Sequence, residues 1–93
     1  MNMTFPSRGQ VEFTRTSYPP GTRIVLSNMN DPYALVEPGM RGTVRYVDDA
    51  GQVGVIWDNG RSLSLIPGVD SFRKLNQQEI AQEQGTRMEE MKL

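Results

Sequence analysis

The chain has 93 residues, 37% of them hydrophobic, which is enough for one domain with one modest core. Cysteine and histidine are both absent, so disulfides, thiolate nucleophiles, histidine general bases and Cys/His zinc sites are excluded. Ten basic and eleven acidic residues give a net charge of −1, and no segment has the basic excess that drives non-specific binding to phosphate backbones. No nucleophile–base pair or phosphate-binding glycine motif is visible, so we expect a non-enzymatic protein without a metal or a cofactor.

Residues 1–6 lack the basic region followed by an apolar region that marks a secretory signal. The apolar runs are only a few residues long, whereas a helix that spans a bilayer needs roughly 20. From these features we expect a cytoplasmic protein that does not enter a membrane.

The first segment, residues 1–19, is polar and contains one brief alternation of apolar and polar residues at 11–15. It predicts a flexible arm, because so little apolar surface does not offset the entropy of ordering. An added β-strand at 11–15 is the alternative interpretation.

The middle segment, residues 20–75, is divided by turn-forming residues into short β-rich runs. Asn59-Gly60 between two such runs is a strong hairpin signal, since both residues tolerate a positive φ. Alternation predicts one core-facing side for each strand. The predicted strands are 22–26, 43–47, 52–57, 62–66 and 72–75. The predicted core residues are Ile24, Leu26, Val44, Val53, Val55, Leu63, Leu65 and Phe72.

This order of a strand, a long loop, a three-stranded meander, a short turn and a last strand is typical of an SH3-like barrel. The predicted fold is therefore all-β, a small SH3-like five-stranded barrel over residues 20–75. An incomplete OB-like barrel shares the early part of the pattern and stays open as an alternative.

The last segment, residues 76–93, has a helical composition. Asn76 followed three residues later by Glu79 resembles a helix capping box. Gly85 interrupts a thin apolar stripe, so we expect a short helix from about 77 to 84 and a frayed tail.

Six motifs in the middle segment occur in an order that resembles an uncharacterised bacterial and phage domain family of unknown function. The resemblance covers roughly residues 20–75 and implies an SH3-like fold, with no activity to carry over. A looser similarity to KOW-type barrels depends mainly on Gly42-Thr43-Val44 followed by Trp57. The six motifs are Pro20-Gly21, Asn30-Asp31-Pro32-Tyr33, Pro38-Gly39-Met40-Arg41-Gly42-Thr43-Val44, Asp48-Asp49-Ala50-Gly51, Trp57-Asp58-Asn59-Gly60 and Leu63-Ser64-Leu65-Ile66-Pro67-Gly68.

The leading functional hypothesis is a binding module for a protein or peptide partner. The loop at 27–42 is long for such a small domain, and long ordered loops are often functional. This loop and the predicted hairpin tip supply the candidate binding residues. Turn formation explains the aspartates and the asparagine among them equally well. Packing in the core equally explains the tryptophan. These candidates are Asp31, Tyr33, Trp57, Asp58 and Asn59.

The competing hypothesis is a KOW-like nucleic-acid adaptor. In that case Arg41, Arg45 and Arg61 share one face, and the aromatic side chains stack on bases. The simpler explanation for these arginines is a solvated surface paired with nearby acids.

Overall fold

The fold is one five-stranded antiparallel sheet with a helix before it and a helix after it. The computed structural model describes residues 6–29, 33 and 35–92, with residues 86–92 described by their backbone alone. In chain order the elements are α1 (Arg8–Ser17), β1 (Arg23–Asn28), β2 (Arg41–Val47), β3 (Val53–Trp57), β4 (Ser62–Leu65), β5 (Ser71–Lys74) and α2 (Gln77–Lys92).

The strands pair in the order β4-β3-β2-β1-β5. Strands β2, β3 and β4 form the predicted meander, and β5 returns to pair with β1 through Leu26 and Phe72. In the described part of the chain no pairing joins β4 to β5, so the sheet is open and the predicted closed barrel is not confirmed. The two edge strands have only four residues each, and the turn between them contributes one isolated bridge between Pro67 and Asp70.

The core lies on one face of this sheet. The predicted core is confirmed, although Leu63 and Phe72 are half-buried rather than fully buried. Trp57 is 1% exposed, and its indole Nε1 donates a hydrogen bond to the Leu63 carbonyl at 3.0 Å. The largest fully buried side chains are Trp57, Ile24, Leu26, Leu65, Val44, Val53 and Val55.

Residues 8–17 of the first segment form helix α1, where the sequence predicted an arm or a strand. Ser7 caps the helix. Its hydroxyl accepts a hydrogen bond from the backbone N–H of Gln10, and the side-chain Oε1 of Gln10 accepts one from the backbone N–H of Ser7. Val11 is buried against Gly51, whose φ of +84° belongs to the turn before β3. Arg15 donates to the Val47 carbonyl at 3.0 Å, so α1 is attached to the end of β2. The capping box and the burial of Val11 thus support a helix in a segment with few apolar residues.

Helix α2 has 16 residues and is longer than the predicted 77–84 helix. The predicted capping box is confirmed, since Asn76 Oδ1 accepts from the Glu79 amide and Glu79 Oε1 accepts from the Asn76 amide. The helix continues through Gly85, because one glycine costs only about 1 kcal/mol relative to alanine and strong helix formers surround it.

A glycine in β2 allows the side chains of β3 to pack closely against the β2 backbone. Gly42 pairs with Ile24 on one side and Trp57 on the other, and a Cβ there would lie 2.6 Å from Val55 Cγ1 and 2.9 Å from Trp57 Cε3. Gly9 in α1 is exposed, and a Cβ there would have its nearest neighbour, the Ser7 hydroxyl, at 3.9 Å.

We therefore expect Gly42→Ala to lower the free energy of unfolding by about 1–3 kcal/mol, because the added methyl overpacks the core. The matched variant Gly9→Ala should leave it unchanged or slightly raised, since alanine is the better helix former. Urea unfolding of both variants measures the difference. Equal stability of the two variants would show that the core accommodates a methyl group at residue 42 without strain.

Candidate functional site

The loop and hairpin predicted to bind a partner do meet in the structure. Tyr33 is 87% exposed and Leu35 is 61% exposed. Asn59 at the hairpin tip donates through Nδ2 to the Leu35 carbonyl at 3.0 Å, which joins the loop to the hairpin. We call Tyr33, Leu35 and Asn59 the loop–hairpin surface. Asp31, the remaining loop candidate, lies outside the described residues.

Two other predicted binding residues have structural roles. The Trp57 ring is buried in the core, as its alternation with Val53 and Val55 allows, so it offers no exposed stacking platform. Both carboxylate oxygens of Asp58 accept hydrogen bonds from the Arg23 guanidinium at 2.8 Å. Asp58 therefore positions an arginine, a role that hairpin chemistry alone did not indicate.

The three arginines of the nucleic-acid hypothesis have different surroundings. Arg41 is engaged by α2, with its Nη1 3.0 Å from Glu83 Oε2. Arg45 is exposed at the irregularity in β2 between Val44 and Tyr46, and Arg61 is exposed after the hairpin turn. Arg41 thus belongs to a set of charges that the sequence did not predict.

That set is built on the outer face of the sheet, opposite the core. Val25 in β1 pairs with Arg41 on β2 and with Arg73 on β5, so these two arginines flank it in one row across the sheet. Arg23, two residues before Val25, projects from the same face because side chains alternate along a strand. We call Arg23, Arg41 and Arg73 the arginine cluster.

Helix α2 supplies the partners of the arginine cluster. Arg23 lies 2.7 Å from Glu83, which also contacts Arg41, while Arg73 lies 2.9 Å from Glu79. Glu79 and Glu83 are four residues apart, so they project from one side of the helix. The first two turns of α2 are thereby attached to the sheet through charged contacts.

These contacts change the acidity of the glutamates. Hydrogen bonds lower the pKa of Glu79 to about 2; the larger effect comes from the Arg73 guanidinium and the next from the backbone N–H of Asn76. The hydrogen bond from Arg23 is the main reason that the pKa of Glu83 is also below its ordinary value. The pKa of Arg23 is raised by its hydrogen bonds to Asp58 and Glu83, so its charge is retained at every accessible pH.

A concave surface lies at the opposite end of β3 and β4 from the hairpin tip. This groove of about 770 Å³, the α1 groove, lies between α1, the turn at 48–51 and the turn at 66–69. Phe13, Ile66 and Val69 line it while remaining 74%, 43% and 51% exposed. The described residues that line it carry no charged side chain, and the polar Ser7, Gln10 and Thr14 share its walls with the apolar side chains.

Sequence reasoning missed the α1 groove because it assigned Phe13 to a flexible arm. The signal that would have located the helix is Ser7 followed three residues later by Gln10, the capping-box pattern. Ile66 and Val69 surround the Pro67-Gly68 turn, and their exposure depends on how that turn packs.

In the described ranges 6–29, 33 and 35–92 no group of three or more acidic side chains converges as a metal ligand set. No helix found there combines the length and the apolar character needed to cross a membrane.

Acid should weaken the attachment of α2. The pKa of Glu79 in the folded protein, about 2, lies below its ordinary 4.5, so its ion pair stabilises docking fully above about pH 4.5 and is lost as the pH falls toward 2. Carboxyl ¹³C NMR measures the pKa directly. Arg73→Gln should raise it toward 4.5, leaving only the part due to the Asn76 amide and Arg41. The control Arg61→Gln removes one positive charge elsewhere in the chain and should not change the pKa of Glu79. If both variants changed this pKa equally, Arg73 would not be the main cause of its low value.

Comparison with known proteins gives a family and no activity. A search of curated proteins found no match. Residues 7–75 match the model of a family described as a domain of unknown function, DUF4314. The match begins at the cap of α1 and ends directly after β5, so it includes the helix that the sequence-based boundary at residue 20 left out. Because the matched residues make up most of the chain, the protein belongs to the DUF4314 family of domains of unknown function.

Proposed function

We propose that this protein is a non-enzymatic binding module that holds an uncharged, apolar peptide segment of a partner protein in the α1 groove. The observation that supports it is the presence of three large, exposed apolar side chains, Phe13, Ile66 and Val69, around one concavity. Exposed apolar groups that line a common concavity are typical of interaction sites, whereas isolated ones are ordinary on any surface.

The dimensions of the groove agree with this role. Its volume of about 770 Å³ lies within the range of about 300–1,000 Å³ that is typical of ligand pockets. Its walls come from a helix and two turns that are held by the sheet, so binding requires little ordering of the protein. The buried residues Val11 and Gly51 also line the groove, at the point where α1 contacts the turn before β3.

The loop–hairpin surface is a second candidate for the same function. Tyr33 and Leu35 expose apolar area, and the hydrogen bond from Asn59 holds the loop against the hairpin. We place the primary site in the α1 groove because a concave surface removes more of a peptide from water than a projecting loop does.

The architecture proposed with this function is an SH3-like barrel. The strand order β4-β3-β2-β1-β5, with the last strand returning to the first, supports it. The nucleic-acid alternative has less support, because Arg41 is paired with Glu83 and the Trp57 ring is buried.

Peptide display against the full chain tests the proposal. Peptides selected from a random library should be uncharged and apolar, and Phe13→Ala should weaken their binding about tenfold or more, the effect of a single well-placed aromatic contact. Phe13 is 74% exposed, so its replacement should leave thermal unfolding nearly unchanged.

Leu35→Ala is the matched control, since it removes an exposed apolar side chain at the other end of the sheet. It should leave peptide binding unchanged. Loss of binding in Leu35→Ala or Tyr33→Ala, but not in Phe13→Ala, would move the site to the loop–hairpin surface. Failure to select any peptide would contradict the proposed function itself.

A further inference from the structure

We propose that the arginine cluster is a second docking surface, that it recognises an acidic helical segment of a partner protein, and that α2 is its displaceable occupant within the chain. This inference concerns the outer face of the sheet and does not depend on the α1 groove. Its basis is the convergence of Arg23, Arg41 and Arg73 on Glu79 and Glu83.

The cluster is held in place by the sheet itself. Arg41 and Arg73 flank Val25 in adjacent strands, and Nη1 and Nη2 of Arg23 each donate to a carboxylate oxygen of Asp58 at 2.8 Å. Asp58 belongs to the hairpin and not to α2, so Arg23 keeps one partner when the helix leaves. Preorganised arginines of this kind reduce the entropy lost on binding a new carboxylate.

The contacts that attach α2 to the sheet are of a kind that a partner helix can replace. In the described part of the chain, the side chains of the cluster and its glutamates are 20–54% exposed, so water and salt reach these ion pairs and screen them. Ile80 is only half-buried, so the helix has no fully buried apolar anchor among its described side chains. In contrast, α1 buries Val11 against Gly51 in the turn before β3.

Both glutamates also lie beyond the family domain. The family match ends at residue 75, whereas all three arginines lie within it. The domain thus supplies the receiving surface, and the segment after it supplies the acids. A partner helix with two carboxylates four residues apart reproduces the same contacts, because such residues lie on one helix face.

The test uses the full chain with Glu79→Gln and Glu83→Gln together, which removes the acids of the built-in occupant. The probe is a synthetic peptide with the native sequence of residues 76–92, and the readout is the Nε–Hε NMR signals of the three arginines. The variant should bind the peptide about tenfold more tightly than the native chain, where α2 competes at a high effective concentration. Binding should weaken as salt is raised.

Glu12→Gln with Glu37→Gln is the matched control, since both residues are exposed and lie outside the cluster; it should behave like the native chain. A peptide with both glutamates replaced should not bind. Absence of peptide binding to the first variant, or arginine signals unchanged by its substitutions, would overturn the proposal. Stronger responses to a mixed-sequence DNA oligonucleotide than to the peptide would also overturn it, by identifying a phosphate-binding surface.

Discussion

The burial of Trp57 against β2 is the packing interaction on which the rest of the structure depends. Its ring lies next to Gly42, where a larger residue would collide with it, and its Nε1 is satisfied by the Leu63 carbonyl. The indole is therefore removed from water without leaving an unpaired polar group. Because the core occupies this face, the charged side chains of the same strands lie on the other face, and that arrangement creates the arginine cluster.

The two helices are attached to the sheet by different forces. Helix α1 is attached by apolar contact, with Val11 buried against Gly51, and by Arg15 on the end of β2. Helix α2 is attached mainly by ion pairs through Glu79 and Glu83. Apolar burial is insensitive to moderate changes of salt and pH, whereas partly exposed ion pairs respond to both. Helix α1 thus forms one wall of the α1 groove, whereas the contacts of helix α2 with the sheet depend on salt and pH.

Sequence reasoning succeeded where local chemistry and strand periodicity agreed. Val53, Val55 and Trp57 alternate, and the Asn59-Gly60 turn follows them, so the hairpin and its core side were predictable. The helix at 8–17 was not predicted, because Val11 is the only buried residue of α1 and the brief alternation at 11–15 is compatible with a strand. Sequence reasoning also stopped α2 too early, because Gly85 was given more weight than the surrounding helix formers.

The sequence by itself determined the strands, the turns, the capping of α2 and the absence of cysteine and histidine chemistry, since these depend on residues that are close in the chain. The tertiary structure alone decided which exposed residues lie together. Phe13 lines the same groove as Ile66 and Val69, which lie in a turn more than fifty residues away. Arg23 meets Glu83 because β1 and the start of α2 are brought to one face of the sheet. Contacts between distant segments depend on the complete packing of the chain, and no local pattern encodes them.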